Sequence, residues 1–215
     1  MVSQERARAT RDRIMMAAAD AFERIGFAST SLADIADIAG VTKGAVYFHF
    51  PSKDAVALAV IAAEHALASA SASAIMAATE CPLECAVMLS ADLARRLQTD
   101  PIVRAGIRLT TESSRLDAPI REPYEDWLAT FEALVRRAVD RGEVRSDIDP
   151  AALARFIIPS FTGIQMVSEL FSGRADLPER VGQMWGFILP GIVPADRLDD
   201  AVAMVAVHLP ESVTG

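Results

Sequence analysis

Apolar residues recur along this chain at helical spacing over most of its length. Ile14, Ala17, Ala18, Ala21, Phe22 and Ile25 stand at offsets of 0, 3, 4, 7, 8 and 11, the buried stripe of a three-turn helix. Gly26 follows as a C-terminal cap. The same spacing predicts later helices near 53–78, 82–98, 101–114, 121–141, 150–172, 178–190 and 195–208. Pro51, Pro82, Pro101, Pro119, Pro123, Gly142, Pro150, Pro178 and Pro194 mark the breaks. Two-residue alternation is absent, and no repeat of solenoid length is visible. The fold class is therefore all-α. The alanine- and serine-rich stretch 66–78 fits a surface of small residues on a long helix rather than a linker.

Residues 31–50, SLADIADIAGVTKGAVYFHF, compress two short helices around a glycine. Ser31 is an N-cap with Asp34 three positions on, a weak variant of the capping box. Leu32, Ile35, Ala36 and Ala39 form one apolar face, Gly40 ends the helix, and Thr42 caps the next. A small residue at Ala36 lets the helices touch, Gly40 supplies the turn, and β-branched Val46 fills the crossing. That is a helix-turn-helix, whose second helix suits the major groove. Lys43 opens this second helix with Gly44 beside it, and Tyr47 and His49 carry polar tips suited to phosphate oxygens. Lys53 starts the next helix beside the same surface. Arg6, Arg8, Arg11 and Arg13 are expected to form a basic arm ahead of the first helix.

Charge at first argues against this reading. The chain of 215 residues carries a net charge of −8, which does not suit a protein built wholesale to coat nucleic acid. The charge is unevenly spread. Residues 1–53 hold seven basic and six acidic residues and are net positive; the rest carries the acidic excess. The chain's only two lysines, Lys43 and Lys53, both fall in the first segment. The expected organisation is a DNA-binding head over residues 1–53 and a larger helical body over residues 54–215.

The stretch RDRIMMAAADAFERIGFASTSLADIADIAGVTKGAVYFHFPSKDA resembles the DNA-binding domain of the TetR family of transcriptional repressors, with VTKGAVYFHFPSK the most specific part. The resemblance implies an all-α homodimer with a three-helix helix-turn-helix head that binds half of a palindromic double-stranded operator. It places Thr42, Lys43, Gly44, Tyr47, His49 and Lys53 on DNA-facing positions. Lys43 would read a base edge, with guanine O6/N7 as the natural partner. Tyr47, His49 and Lys53 would hold phosphates, and Ser31 would offer a hydroxyl and a helix N-terminus to phosphate.

Further on, PIVRAGIRL (101–109), Pro123 four residues before Trp127, and MWGFILPGIVP (184–194) resemble γ-butyrolactone autoregulator receptors of actinomycetes, repressors released by small lactones, furans or butenolides. This resemblance makes Trp127 the leading ligand-pocket residue, a flat apolar wall with one N–H donor. Pro123 accompanies it, and Thr162 could donate to a ligand carbonyl. The bland alternatives are a core tryptophan and a mid-helix threonine bonded to its own backbone. Helices 150–172 and 178–190 are apolar on most faces. By the resemblance they form a four-helix dimer interface, with Gly163, Gly182 and Gly186 permitting close approach. Trp185 belongs to core or interface.

Other chemistry is not indicated. Cys81 and Cys85 fit small buried side chains, and Glu64 and His65 fit a core edge or surface. The GxSxG, P-loop, HExxH and GxGxxG motifs are absent, and no cofactor, metal or enzymatic activity is expected. The longest uninterrupted apolar run, Ala55 to Ala63, predicts no membrane span, and a cytoplasmic regulator is expected. Two alternatives stay open: a TetR-type regulator that answers to another ligand such as an antibiotic, and a helical small-molecule-binding protein or enzyme.

Overall fold

The computed structural model describes residues 2–112 and 120–209. Among these residues the chain forms ten α-helices, one 3-10 turn and no strand. The helices are α1 (Val2–Arg24), α2 (Leu32–Ala39), α3 (Lys43–His49), α4 (Lys53–Ala78), α5 (Pro82–Thr99), α6 (Pro101–Thr111), α7 (Glu122–Asp140), α8 (Pro150–Ser172), α9 (Leu177–Ile192) and α10 (Leu198–His208). The all-α expectation holds.

The chain divides into two compact units. The first comprises Met1–Ala68 and Thr99–Arg121. It includes the first part of α4 and all of α6, and so is larger than the head expected over residues 1–53. Its core gathers Ile14, Ala18 and Phe22 from α1, Ile35 and Ala36 from α2, Val46 from α3, Val56 and Val60 from α4, and Ala105 from α6. Burying such side chains contributes roughly 1.5–3 kcal/mol for each large aliphatic or aromatic one.

Helix α1 differs from expectation at both ends. Arg6, Arg8, Arg11 and Arg13 lie inside α1, not ahead of it. Nothing in residues 2–13 breaks a helix, so the charged stretch continues the apolar one. Ile25 leaves the buried stripe and is 46% exposed, because α1 stops at Arg24 and Gly26, at φ +87°, turns the chain away.

Helix α6 belongs to this unit through named contacts. Asp100 caps it by accepting from the Ile102 and Val103 amides, with Pro101 at the first helical position. Arg104 Nε then donates to Glu23 Oε1 of α1 at 2.5 Å, and Arg108 Nη1 donates to the Glu23 carbonyl. Gly106 lies flush against Glu64 of α4. Glu64 is 1% exposed, so it is a core residue and not the edge residue that its sequence context suggests.

The second unit comprises Ser69–Gln98 and Glu122–Gly215. Leu89 and Leu97 of α5, Leu134 of α7, Ile157 of α8, and Trp185 and Leu189 of α9 are buried in it. Trp185 is fully enclosed and is core. The α8–α9 turn is closed by Asp176, whose carboxylate accepts from the Ser168 and Ser172 hydroxyls and from Arg180; these bonds hold its pKa at about 2. Cys85 is buried and Cys81 half-buried, both as free thiols; the Cys81 thiol donates to Glu143 at 3.4 Å. No group of metal-ligating side chains occurs among the described residues.

Helices α4 and α8 are long and apolar enough by composition to cross a membrane. In this fold α4 spends part of that surface on the first unit's core, through Val56, Ala57, Val60 and Ile61. Helix α8 spends only part of it on α7 and α9. Phe156, Met166, Val167, Leu170 and Phe171 of α8 and Phe187 of α9 stay exposed.

Candidate functional site

The helix-turn-helix is built by its own caps. Ser31 Oγ accepts from the Asp34 amide, and the Asp34 carboxylate accepts from the Ser31 amide at 2.8 Å, so the capping box is complete and not the weak variant expected. The Ser31 hydroxyl also donates to Asp34 at 2.7 Å, and these bonds hold the Asp34 carboxyl below its ordinary range. A phosphate contact from Ser31 would need that hydroxyl to turn. Gly40 adopts φ +62°, ψ +40°, and its N–H bonds back to Ala36 and Asp37. No atom crowds its Cβ position, so backbone conformation, not space, requires the glycine there. Val46 is fully buried under the turn.

Thr42 caps α3 by accepting from the Ala45 amide at 3.2 Å. With Val46 turned inward, Lys43, Gly44, Tyr47 and Phe48 are left on solvent. These residues form one exposed surface with Lys43 at its N-terminal end, the end from which a recognition helix reaches base edges. The nearest atom to a Cβ on Gly44 would be Thr42 Oγ1 at 3.9 Å. His49 is half-buried, and its ring meets Phe48 edge-on with centroids 5.1 Å apart. Phe48 is 81% exposed, the most exposed aromatic of the helix, and was not singled out from sequence. Its signal lay in the spacing: position 48 is off the Val46 face, so an aromatic there has no core to enter.

Lys53 is placed differently from expectation. Its Nζ donates to the Phe27 carbonyl at 2.8 Å and to the Ala28 carbonyl at 3.3 Å, and lies 4.4 Å from the Phe27 ring centroid. The ammonium ties α4 to the loop after α1, and a phosphate would have to replace those bonds. Arg11 lies 5.0 Å from the Phe50 ring centroid, and Arg13 donates to the Gly40 carbonyl at 3.4 Å. Part of the basic charge of α1 therefore braces the turn.

In the second unit, Pro123, Trp127 and Phe131 recur every four residues on α7. Pro123 is buried, Trp127 half-buried, and the Trp127 and Phe131 rings stand 6.2 Å apart. Thr162 of α8 bonds its own backbone, donating to the Ile158 carbonyl at 3.0 Å, as the bland reading held. Its hydroxyl also lies 3.3 Å from the hydroxyl of Tyr124, one turn before Trp127. Tyr124 therefore joins the two helices that carry the candidate pocket residues. One turn beyond Thr162, Gln165 is buried and its Oε1 accepts no hydrogen bond. Sequence missed both. A Tyr and a Gln on amphipathic helices carry no local signature.

The glycines of the apolar α8–α9 face also separate. Gly163 and Gly186 have open space at the Cβ position, whereas Gly182 lies against Leu209 of the same chain, 3.3 Å from its carbonyl oxygen. Gly182 serves packing within the chain.

Comparison with known proteins fits this geometry. Residues 14–60 match the model for bacterial regulatory proteins of the tetR family, and residues 80–194 match the tetracyclin repressor-like C-terminal domain. The chain belongs to the TetR family. It is a helix-turn-helix DNA-binding regulator and not an enzyme. The A-factor receptor protein of Streptomyces griseus is 38% identical over 192 residues, covering 89% of this chain and 67% of that protein. A regulator from Pseudomonas putida, TtgR, is 46% identical but over only 29% of this chain. The head is thus shared broadly, and the body has narrower company. A solved γ-butyrolactone receptor (ArpA-like protein) superposes with a TM-score of 0.84 at 32% identity, covering 94% of this chain and 98% of that one. CprB of Streptomyces coelicolor, in complex with its operator, superposes with a TM-score of 0.85 at 32% identity, covering 96% and 100%.

Proposed function

We propose that this TetR-family regulator is a cytoplasmic homodimer that represses transcription from a palindromic operator and is released by a small γ-butyrolactone-type molecule. The observation that carries the reading is the likeness to the A-factor receptor, which runs through head and body together. The CprB–operator complex supports operator binding by this fold. In the head, Lys43 reads a base edge while Tyr47, Phe48 and His49 meet the backbone and sugars. Thr42 and Gly44 allow close approach of the helix start. Ser31 and Lys53 contact phosphate only by exchanging the internal bonds described above.

The exposed apolar surface of α8 and α9 fits the dimer contact. Between these helices runs an open groove of about 720 Å³ lined by Phe156, Gly163, Val167, Met184 and Phe187. Such a patch on a regulator of this kind suits a second copy of the chain, and a two-fold dimer sets two recognition helices about 34–36 Å apart, one turn of DNA. In the body, Trp127 and Pro123 supply an apolar wall and Thr162 with Tyr124 a hydroxyl pair, a setting for a lactone with an alkyl tail. Effector and operator then oppose one another through a coupling of roughly 1–3 kcal/mol.

Selection of genomic DNA fragments by the purified chain tests this reading. The bound fragments should share a palindrome, and a γ-butyrolactone should elute them. Recovery without a shared palindrome would contradict the repressor, and retention in lactone would favour a regulator that answers to a different ligand.

A further inference from the structure

Glu64 stands on α4 one turn beyond Val60, inside the first unit. Its side chain is almost wholly enclosed, and its Oε1 accepts no hydrogen bond. A carboxylate in that condition has lost its hydration without gaining a partner. Burial alone pushes its pKa up to about 7.

The crossing around it has no slack. A Cβ on Gly106 of α6 would stand 2.4 Å from Glu64 Cβ and 2.8 Å from its Cγ. The backbone of α6 therefore rests on the stem of the acid, and Oε1 is shut off from water while the two helices touch. Helix α6 is itself anchored. Arg104 and Arg108 hold Glu23 of α1.

The charged groups around the crossing are committed elsewhere. On α6, Arg104 pairs with Glu23, and Arg108 with the Glu23 carbonyl and Glu112. On α1, Asp20 pairs with Arg24. On α4, Lys53 is tied to the Phe27 and Ala28 carbonyls, and half-buried His65 is the neighbouring titratable group. Burial is the cause that raises the Glu64 pKa.

We infer that Glu64 is a proton-controlled latch on the α4–α6 crossing: protonated, it lets the helices close on each other, and its ionisation opens them. The consequence reaches the DNA-reading helix. Only Phe50–Ser52 separate α3 from α4, and Phe50 is buried in the same core as Val60. Opening the crossing shifts the base of α3, so operator affinity falls as pH rises through the neutral range. This holds whatever the effector is.

Hydrogen exchange on the full-length chain tests the latch at about pH 6 and about pH 8.5, with rates corrected for the intrinsic effect of pH. Wild type should lose protection in α6 and in the first half of α4 at the higher pH. Glu64→Gln should stay protected at both, and Gly106→Ala, whose Cβ forces the helices apart, should be unprotected at both. Equal protection of wild type at the two pH values, or an unchanged pH response in Glu64→Gln, overturns the inference. A second arm measures affinity for a palindromic duplex from the chain's own upstream region. Wild type should weaken by about fivefold or more at the higher pH, the low end of allosteric couplings, and Glu64→Gln should not. Opening without any change in affinity also overturns the latch. If no duplex binds at either pH, it is the repressor reading that fails, and hydrogen exchange alone decides the latch.

Discussion

Arg104 of α6 and Glu23 of α1 form an ion pair, 2.5 Å from Nε to Oε1, between residues 81 positions apart in the chain. Both side chains are about three-quarters buried. Arg108 reaches the carbonyl of the same glutamate, so one residue at the end of α1 receives two arginines of α6. The stretch PIVRAGIRL thereby gains a structural meaning. Its proline starts α6, its arginines hold α1, and its glycine admits Glu64.

Arg104→Gln should therefore lower the stability of the first unit by about 1–3 kcal/mol, the usual range for hydrogen bonds to charged groups. Chemical denaturation followed by a probe in the head checks this. A double mutant with Glu23→Gln should lose less than the sum of the single losses, because the two changes remove one interaction.

Glu64 gives stability a particular pH dependence. Its folded pKa of about 7 lies above the ordinary value of 4.5, so the native state holds this proton longer than the unfolded chain does. The contribution is fully present below about pH 4.5, declines as pH rises and is lost above about 7, a change of at most about 3 kcal/mol. In Glu64→Gln that slope should vanish, and the variant should be the more stable of the two at pH 8. Unfolding midpoints across pH check this.

The helix-turn-helix was legible in the sequence because its determinants are local. Ala36, Gly40 and Val46 act through fixed spacings, and the structure places each as expected. Ser31 and Lys53 were legible as polar groups near the head but not by their partners. Lys53 meets Phe27 only once the loop after α1 folds back, and Ser31 is engaged by its own capping box. Glu64 was misplaced for a related reason. It ends a nine-residue apolar run, which suggests an edge, and only the approach of Gly106 from α6 encloses it. The first compact unit is larger than the expected head for a related reason. Charge changes near residue 53, yet α6 joins the head through contacts that no local pattern displays.

Lys43 and Lys53 should part company under mutation. Lys43 is exposed and acts on the fold only through its charge near Asp34, so Lys43→Ala should leave stability nearly unchanged and relax base preference at one operator position by about 1–3 kcal/mol. Lys53→Ala removes the bonds to Phe27 and Ala28 and should lower the melting temperature as well as affinity. Binding to a set of single-base operator variants, alongside thermal unfolding, separates the two. Uniform loss across all variants in Lys43→Ala would make Lys43 a phosphate contact.

Phe171 and Phe187 are 76% and 86% exposed, a poor use of phenylalanine unless a partner covers them. Phe171→Glu and Phe187→Glu should each shift sedimentation from dimer towards monomer, because a charge would be buried without a partner. Operator affinity should drop with the dimer, and the folded monomer should keep its helical content. Unchanged sedimentation would place the dimer contact elsewhere.

The most direct test of the proposed function is anisotropy of a labelled operator duplex bound by the full-length chain and titrated with a γ-butyrolactone. Wild type should release the duplex as lactone is added, and Trp127→Ala should bind the duplex as tightly but need far more lactone to release it. A wild-type complex that stays fully bound at saturating lactone, or a Trp127→Ala complex released as readily as wild type, would contradict it.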